Sequence, residues 1–359
     1  MSFNLRTSDF DFDLPAELIA QQPPAERGAS RLLAVDRASA TWADRRFADL
    51  PSLLRPDDLL VLNDTRVFPA RLLGRRLPGG GAVECLLLRR LDDAATTPDT
   101  ETWSALVHPG QRLRPGTRLV FEGRGPGLHG EILGRHFHGR RTVRLHTADA
   151  TSVHDAVHAL GHVPLPPYIR RPDVGSDRER YQTVFAHHEG SIAAPTAGLH
   201  FTPAMFAALA AAGIETTTIT LHVGYGTFQP VRAEYVAEHR METEEYEVSS
   251  PAADALNRAI AAGRRVVAVG TTTTRTLESL ALDAAGRVGA GRGATDLFIV
   301  PGHRFRLVGG LVTNFHVPRS SLLMLVSAFA GVDLIRRAYA HAVAERYRFY
   351  SYGDAMLIL

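Results

Sequence analysis

The chain has 359 residues, of which 45% are hydrophobic and 22% are charged. This composition supports about two domains with full hydrophobic cores and excludes an intrinsically disordered protein. The single cysteine, Cys85, excludes an intrachain disulfide and a cysteine metal cage, and the lack of any lysine excludes lysine Schiff-base chemistry and a P-loop.

The first 64 residues lack the apolar core of a signal peptide and mix short helix and strand patterns. Leu32 to Val35 and Leu59 to Leu62 are apolar runs typical of buried strands. No segment of the sequence approaches the roughly 18 apolar residues that cross a bilayer. We therefore expect a cytoplasmic protein that makes no membrane contact.

Between residues 66 and 151, six short strand-like segments alternate with turns rich in Gly and Pro. The segments are Ala70 to Arg76, Ala82 to Arg90, Thr102 to Val107, Arg118 to Phe121, Gly130 to Leu133 and Thr142 to His146. This regular punctuation without a helical period predicts a small β-barrel or sandwich. Arginines also cluster here, and their planar guanidinium groups suit phosphate, although a solvated basic face is the ordinary alternative.

After Ser152 the pattern changes to alternating helices and strands. Helices are predicted over Val153 to Leu160, from Pro203 to a stop at Gly213, and over Ala252 to Ala262, Thr274 to Ala285, Pro318 to Ala330 and Val332 to Tyr347. Strands are predicted over Ile214 to Val223, Arg265 to Val269, Leu297 to Val300 and Ala355 to Leu359, and a strand or hairpin is predicted over Leu307 to Phe315. The predicted fold class is α/β, with a mixed, mostly parallel sheet covered by helices. We expect residues 1–65 and 152–359 to form this domain and residues 66–151 to be an inserted all-β barrel.

Two strand-like runs each end in a histidine close to glycine. The first contains Gly198 and His200, and the second contains His222, Gly224 and Gly226. Histidine exchanges a proton near neutral pH, and α/β sheets bind ligands at their strand ends. The following Tyr225 and Phe228 could seat a nucleoside, or else form a tight turn with a core aromatic ring.

The run from Gly270 to Thr274 lies between a buried strand and a helix. Free backbone N–H groups at such a turn favour an anion or a polar ligand, while an ordinary capped turn is the alternative. We predict that His200 and His222 line one pocket with residues 270–273.

Further polar groups could contribute a proton acceptor. The first set is His239, Glu242, Glu244 and Glu245, whose spacing matches no strong metal motif, so we expect no metal and, by default, a solvated acidic loop. Asn314 and His316 end a predicted strand, although a lone histidine is more often structural. Asp354 lies at a predicted turn, where a conformational role is the alternative.

Several long strings give the chain a family resemblance. They cover residues 63–72, 161–169, 181–184, 193–201, 220–224, 226–231, 269–272 with Arg275, 312–316, 323–331 and 350–356. In these strings and their order the chain resembles the S-adenosylmethionine:tRNA ribosyltransferase-isomerase family of queuosine biosynthesis. It departs from many relatives at Glu242, where they carry histidine, and at Thr273 and Thr274.

The resemblance implies that the ribosyl part of S-adenosylmethionine is transferred to preQ1 at the tRNA wobble position, giving epoxyqueuosine and releasing adenine and methionine. It implies no metal or cofactor, because S-adenosylmethionine is a consumed substrate, and we expect a monomer. For the base that removes the C5′ proton we predict His222, Glu244 or His200. For substrate binding we predict Pro195, Thr196, Gly198, Gly224, Gly226, Thr227, Phe228, Gly270, Thr271, Thr272, Arg275, Asn314 and His316. For tRNA binding we predict Arg66, Arg71, Arg140, Arg141 and Arg144.

Two other functions are compatible with the composition. An S-adenosylmethionine methyltransferase would carry a Gly-rich loop after its first strand, and this sequence has none. A protein that only binds RNA would leave the glycine- and histidine-rich strand ends without a purpose.

Overall fold

The computed structural model describes residues 5–91, 93–94, 96–123, 127–149, 151–228 and 231–359; the side chains of His138, Thr227 and Phe228 are outside the description. The strands are β1 (Arg31–Asp36), β2 (Thr41–Arg46), β3 (Leu59–Asn63), β4 (Thr65–Val67), β5 (Arg71–Leu77), β6 (Ala82–Leu91), β7 (Thr100–His108), β8 (Arg118–Phe121), β9 (Leu128–Arg135), β10 (Arg140–Thr147), β11 (His188–Ser191), β12 (Glu215–Leu221), β13 (Glu244–Val248), β14 (Val266–Val269), β15 (Gly291–Thr295), β16 (Val308–Asn314) and β17 (Ala355–Ile358). The α-helices are α1 (Leu50–Leu53), α2 (Val153–Leu160), α3 (Asp177–Arg180), α4 (Pro203–Ala211), α5 (Ser250–Ala261), α6 (Thr271–Ser279), α7 (Ser321–Ala330) and α8 (Val332–Ala344).

Nine strands form one mixed sheet in the order β15-β13-β12-β3-β14-β16-β17-β1-β2. The central strands β12, β3, β14 and β16 are parallel, as are β17 and β1. The other neighbours in the sheet are antiparallel. The predicted mixed sheet is therefore confirmed, with its parallel pairs concentrated at the centre rather than forming a majority.

Both faces of the sheet are covered because its central strands are apolar on both sides. Along β3, Leu59 and Val61 join the core formed with α5, α7 and α8, while Leu60 and Leu62 join the core formed with α1 and α4. Successive side chains of a strand point to opposite faces, so a continuous apolar run serves two cores. Helix α4 begins as the sequence predicts, with the Thr202 hydroxyl accepting a hydrogen bond from the Met205 N–H.

A closed six-stranded antiparallel barrel contains β5 to β10, and all six strands predicted in this part of the chain are present. Helix α2 packs on the barrel through Val153, Ala156 and Val157. Strands β4 and β11 form a separate two-stranded sheet. The exact domain boundaries at residues 65 and 152 stay a prediction.

Some predicted elements were wrong. No strand covers Leu297 to Val300; the strand lies earlier, at β15, and the apolar run instead packs its side chains against the core. Helix α6 begins at Thr271 and ends at Ser279, because the turn at Gly270 already starts the helix. Within the described ranges, no helix combines the length and apolar character that a membrane span requires.

Candidate active site

A cavity of about 390 Å³ lies where the parallel strands β14 and β16 end. Its lining includes residues 270–272 after β14, residues 313–316 at the end of β16 and residues 195–197 of a neighbouring 3-10 turn. Ligands of open α/β sheets bind outside the carboxyl ends of the strands. Seven predicted substrate-binding residues line this cavity, and they are Pro195, Thr196, Gly270, Thr271, Thr272, Asn314 and His316.

The turn after β14 takes a conformation that glycine favours. Gly270 has φ +91° and directly precedes α6. The Thr273 and Thr274 hydroxyls donate back to the carbonyls of Val269 and Gly270, at 2.7 and 3.0 Å. Thr271 and Thr272 line the cavity instead, where the first N–H groups of a helix favour negative or polar ligand atoms.

His316 is the histidine that lines the cavity. Its Nε2 lies 2.8 Å from the Thr313 hydroxyl, and its backbone N–H donates to the Tyr339 hydroxyl at 3.0 Å. Burial lowers the pKa of His316 to about 3. The imidazole is therefore neutral at physiological pH. It carries no charge before a proton transfer, and it has a free capacity to accept a proton.

His200 is buried and does not line this cavity. Its Nδ1 is 2.9 Å from the Ser30 hydroxyl, and its ring packs on Phe47. Burial lowers the pKa of His200 to about 4, while the nearby Asn314 side chain acts in the opposite direction. Gly198 faces Thr183 and Phe185 rather than the cavity. His200 lines a separate small cleft with Ser30.

His222 also lies outside this cavity. Its Nδ1 is 2.8 Å from the Thr65 hydroxyl, and the imidazole covers Gly190 so closely that a Cβ there would come within 2.8 Å of Cε1. Burial lowers the pKa of His222. The next residue, Val223, does line the cavity. The prediction that His200 and His222 line one pocket with residues 270–273 is therefore wrong. His200 lines a separate cleft, and Val223 takes the place of His222 because neighbouring residues of an extended chain point to opposite sides.

Glu244 and Arg275 form a buried ion pair beside the cavity. They are 5% and 3% exposed, and Arg275 Nη1 donates to Glu244 Oε2. The Gly224 N–H donates to Glu244 Oε1 at 2.9 Å, and Arg275 Nε donates to the Leu297 carbonyl. Glu244 belongs to strand β13, so the expectation of a solvated acidic loop is wrong for this residue. Neither member of the pair lines the cavity.

Two predicted glycines lie next to this acidic segment. Gly224 binds Glu244, and a Cβ at Gly226 would come within 3.2 Å of Glu242. The Glu242 carboxylate in turn accepts a hydrogen bond from Arg140 of the barrel. The Thr227 and Phe228 side chains lie outside the described part of the structure. Tyr225 lines a second cavity, of about 440 Å³, rather than the first.

Two tyrosines that the sequence analysis did not single out line the first cavity. The rings of Tyr168 and Tyr350 lie 3.9 Å apart between centroids and are tilted by 31°. Tyr350 has φ +73°, and its carbonyl accepts a hydrogen bond from Asn314 Nδ2 at 2.9 Å. A large side chain with positive φ is uncommon and occurs preferentially at functional sites. Both tyrosines lie in strings that carry the family resemblance, but their 182-residue separation hides the contact.

The predicted tRNA-binding arginines divide by burial. Arg141 is only 2% exposed and donates to the carbonyls of Gly110, Leu113 and Arg140, so its guanidinium serves the barrel's own backbone, and its assignment to tRNA stays a prediction. Arg66 is exposed on β4. Each of the other three pairs with a carboxylate: Arg71 with Glu84, Arg140 with Glu242 and Arg144 with Asp93.

Two further groups complete the polar inventory. Both carboxylate oxygens of Asp354 accept backbone hydrogen bonds, from Arg31 and Arg348, which is a structural role. His154, His158 and Glu189 offer ligand atoms that lie within 4.8 Å of one another, away from the cavity lining. The rings of His154 and His158 lie against each other on α2, and both pair with Glu189.

The sequence profile of the family described as queuosine biosynthesis protein matches residues 7–358. The chain belongs to this family. It is 54% identical to the S-adenosylmethionine:tRNA ribosyltransferase-isomerase of Symbiobacterium thermophilum and 52% identical to that of Solibacter usitatus, covering 99% of this chain and 100% of each relative. The crystal structure of an S-adenosylmethionine tRNA ribosyltransferase from Thermotoga maritima is similar, with a TM-score of 0.54 and 38% identity over 98% of this chain and 100% of that one. The family predicted from the sequence is confirmed.

Proposed function

We propose that the protein is an S-adenosylmethionine:tRNA ribosyltransferase-isomerase of queuosine biosynthesis, the activity that the sequence predicts and by which its relatives are named. It transfers and isomerises the ribosyl group of S-adenosylmethionine onto preQ1 in tRNA, giving epoxyqueuosine, adenine and methionine. The observation that carries this proposal is the match to enzymes of this name over 99% of the chain.

S-adenosylmethionine binds in the 390 Å³ cavity, whose volume is in the range of small-molecule sites. The Tyr168 and Tyr350 rings offer an aromatic surface for the adenine, and the N–H groups at the start of α6 suit the methionine carboxylate. A neutral His316 avoids repulsion of the sulfonium. Thr271, Thr272 and Asn314 supply polar contacts in the same lining.

Removal of the C5′ proton requires an acceptor within reach of the ribose. His316 is the best placed of the candidates, because His200, His222 and Glu244 do not line the cavity. The low pKa of His316 makes its imidazole a weak base. The cavity must therefore hold the imidazole directly against the acidified C5′–H bond, with water excluded from between them. Each oxygen of Glu244 already accepts a hydrogen bond, from Gly224 and from Arg275, and the residue does not line the cavity, so it would act as base only after moving toward the ribose.

The base is identified by comparing four variants: His316→Ala, His222→Ala, His200→Ala and Glu244→Gln. Removal of the true base lowers kcat by a factor of about 10²–10⁴ while the folded enzyme still binds S-adenosylmethionine. Incorporation of solvent deuterium at C5′ should fail in the same variant. Near-normal turnover in His316→Ala would exclude this histidine and return the role to one of the other three.

The partner is preQ1-modified tRNA, bound through its anticodon stem-loop. Arg66 is exposed, and Arg71, Arg140 and Arg144 can exchange their carboxylate partners for phosphates. The 440 Å³ cavity is lined by Arg71 and shares Pro167 with the first cavity, which suits a nucleotide that must reach the ribosyl group. The enzyme needs no cofactor or metal and acts as a cytoplasmic monomer.

The activity is tested by incubating the protein with S-adenosylmethionine and preQ1-tRNA. Equal amounts of adenine and methionine, together with epoxyqueuosine in the tRNA, support the proposal. Formation of S-adenosylhomocysteine would instead identify a methyltransferase. Binding of tRNA without any small-molecule product would identify an RNA-binding protein, and either of these outcomes would overturn the proposal.

A further inference from the structure

The hairpin that joins β9 and β10 carries a phenylalanine in solvent. Phe137 is 88% exposed and begins the 3-10 turn Phe137–Gly139. The preceding Arg135 and His136 are exposed as well. An aromatic ring held in water contributes little to the fold, and both of its faces are free to pack against a ligand.

Buried Arg141 holds a second segment beside this hairpin. Its guanidinium binds the carbonyls of Gly110 and Leu113, and in the strand register it lies opposite Arg135. Arg112 and Arg114 flank Leu113 and are exposed. Arg141 therefore brings two separate parts of the barrel sequence to one end of the barrel.

The exposed arginines at this end differ from three other arginines of the barrel. Within the described residues, Arg112, Arg114 and Arg135 form no ion pair, whereas Arg75, Arg140 and Arg144 each pair with a carboxylate. Unpaired guanidinium groups can bind phosphate without first releasing a protein partner. We call Arg112, Arg114, Arg135 and Phe137 the barrel tip.

The barrel tip lies at the edge of the second cavity. Gly139, at the end of the hairpin turn, and Leu106, the partner of Arg140 across the strands, both line the 440 Å³ cavity. Pro167 lines that cavity and the 390 Å³ cavity alike. A chain of nucleotides can therefore extend from the barrel tip toward the candidate active site.

We propose that the barrel tip binds the unpaired nucleotides next to the modified base, with Phe137 stacking on one base and the three arginines binding phosphates. This inference rests on the proposed function and names the surface that takes the tRNA loop. Aromatic rings that stack on splayed bases, surrounded by arginines, are how proteins bind single-stranded RNA. An acidic protein partner would use the charges but would not require an aromatic ring.

The test measures KM for preQ1-tRNA, KM for S-adenosylmethionine and kcat in the tip variants. We expect Phe137→Ala to raise the KM for tRNA about tenfold. Phe137→Trp should keep the KM of the wild type, because stacking needs an aromatic ring rather than phenylalanine itself. The triple variant of Arg112, Arg114 and Arg135 to Ala should raise the KM for tRNA and reduce the salt slope of tRNA affinity by about 0.7 for each phosphate that the variant no longer binds. KM for S-adenosylmethionine should not change.

Two matched controls separate position from residue type. Leu73 is an exposed apolar residue on another barrel strand, and Arg45 is an exposed arginine on edge strand β2. Leu73→Ala and Arg45→Ala should leave all three constants unchanged. If the wild-type enzyme makes epoxyqueuosine but the tip variants keep its KM for tRNA and its salt slope, the inference is wrong while the proposed function stands. If Phe137→Leu equals the wild type, stacking is excluded. If the wild type makes no epoxyqueuosine, the proposed function itself fails.

Discussion

Arginine side chains occur both beside the cavity and at the barrel tip, but they are buried beside the cavity and exposed at the tip. Beside the cavity, Arg275 is buried in an ion pair with Glu244, and His316 is buried and neutral. At the barrel tip, Arg112 and Arg135 are exposed and have no ion-pair partner among the described residues. The difference teaches that burial, rather than residue type, decides whether a side chain holds the site together or meets a charged partner.

The largest expected effect is the loss of stability when the buried ion pair of Arg275 and Glu244 is broken. Arg275→Ala removes the partner of a carboxylate that cannot reach water, so the free energy of unfolding should fall by about 3–5 kcal/mol. Urea unfolding measures it. The matched control is Arg292→Ala, whose pair with Glu247 is exposed and should contribute nothing measurable. Equal stability of Arg275→Ala and the wild type would show that the pair is not buried in solution.

The second prediction concerns Arg141, an arginine of the barrel that is buried like Arg275. Arg141→Ala leaves the carbonyls of Gly110 and Leu113 without their donor, and we expect the free energy of unfolding to fall by about 2–3 kcal/mol. The exposed Arg118→Ala serves as the control. A stable Arg141→Ala protein with weakened, less salt-dependent tRNA binding would support the assignment that the sequence suggested.

Acid should destabilise the cavity region through its buried histidines. In the unfolded chain these histidines take up protons near pH 6.5, but in the folded protein His200 and His316 resist protonation down to about pH 4 and 3. Stability is therefore full above pH 6.5 and falls as the pH drops toward these values. At pH 5 the decrease is about 2 kcal/mol for each histidine.

This pH dependence is checked by urea unfolding at pH 7.5 and pH 5.0. His316→Gln should lose less stability between the two pH values than the wild type does, whereas replacement of the exposed barrel residue His108 by Gln should leave the difference unchanged. An identical pH dependence in His316→Gln and the wild type would contradict burial of a neutral imidazole.

The smallest expected effect concerns the exposed side of the comparison. Phe137→Ala should change the free energy of unfolding by no more than about 0.5 kcal/mol, because the ring is already in water. Phe121→Ala, in the barrel core, should cost about 3–5 kcal/mol. A marked destabilisation by Phe137→Ala would mean that its ring packs against the protein in solution.

Much of the fold and part of the site could be predicted from local pattern. Glycine and proline turns mark all six barrel strands, and the apolar runs mark β3 and β14, because each signal lies within a few neighbouring residues. The turn at Gly270 and the strand end at Asn314 could be assigned to the site for the same reason. Strand β13 could not be recognised, since its sequence, EEYEV, is mostly acidic and its pairing with β12 and β15 is what makes it a strand.

By itself, the sequence determined the family, because several long strings resemble those of its members. It also determined the barrel strands and the glycine turn that borders the cavity, since these follow from short-range periodicity and backbone preference. Only the tertiary structure decided which side chains share a surface. It turned Val223 rather than His222 toward the cavity, paired Glu244 with Arg275, buried Arg141 and brought Tyr168 against Tyr350. The physical reason is that a strand or turn sets the direction of a side chain, while packing against distant elements decides whether it meets water, a partner or a ligand.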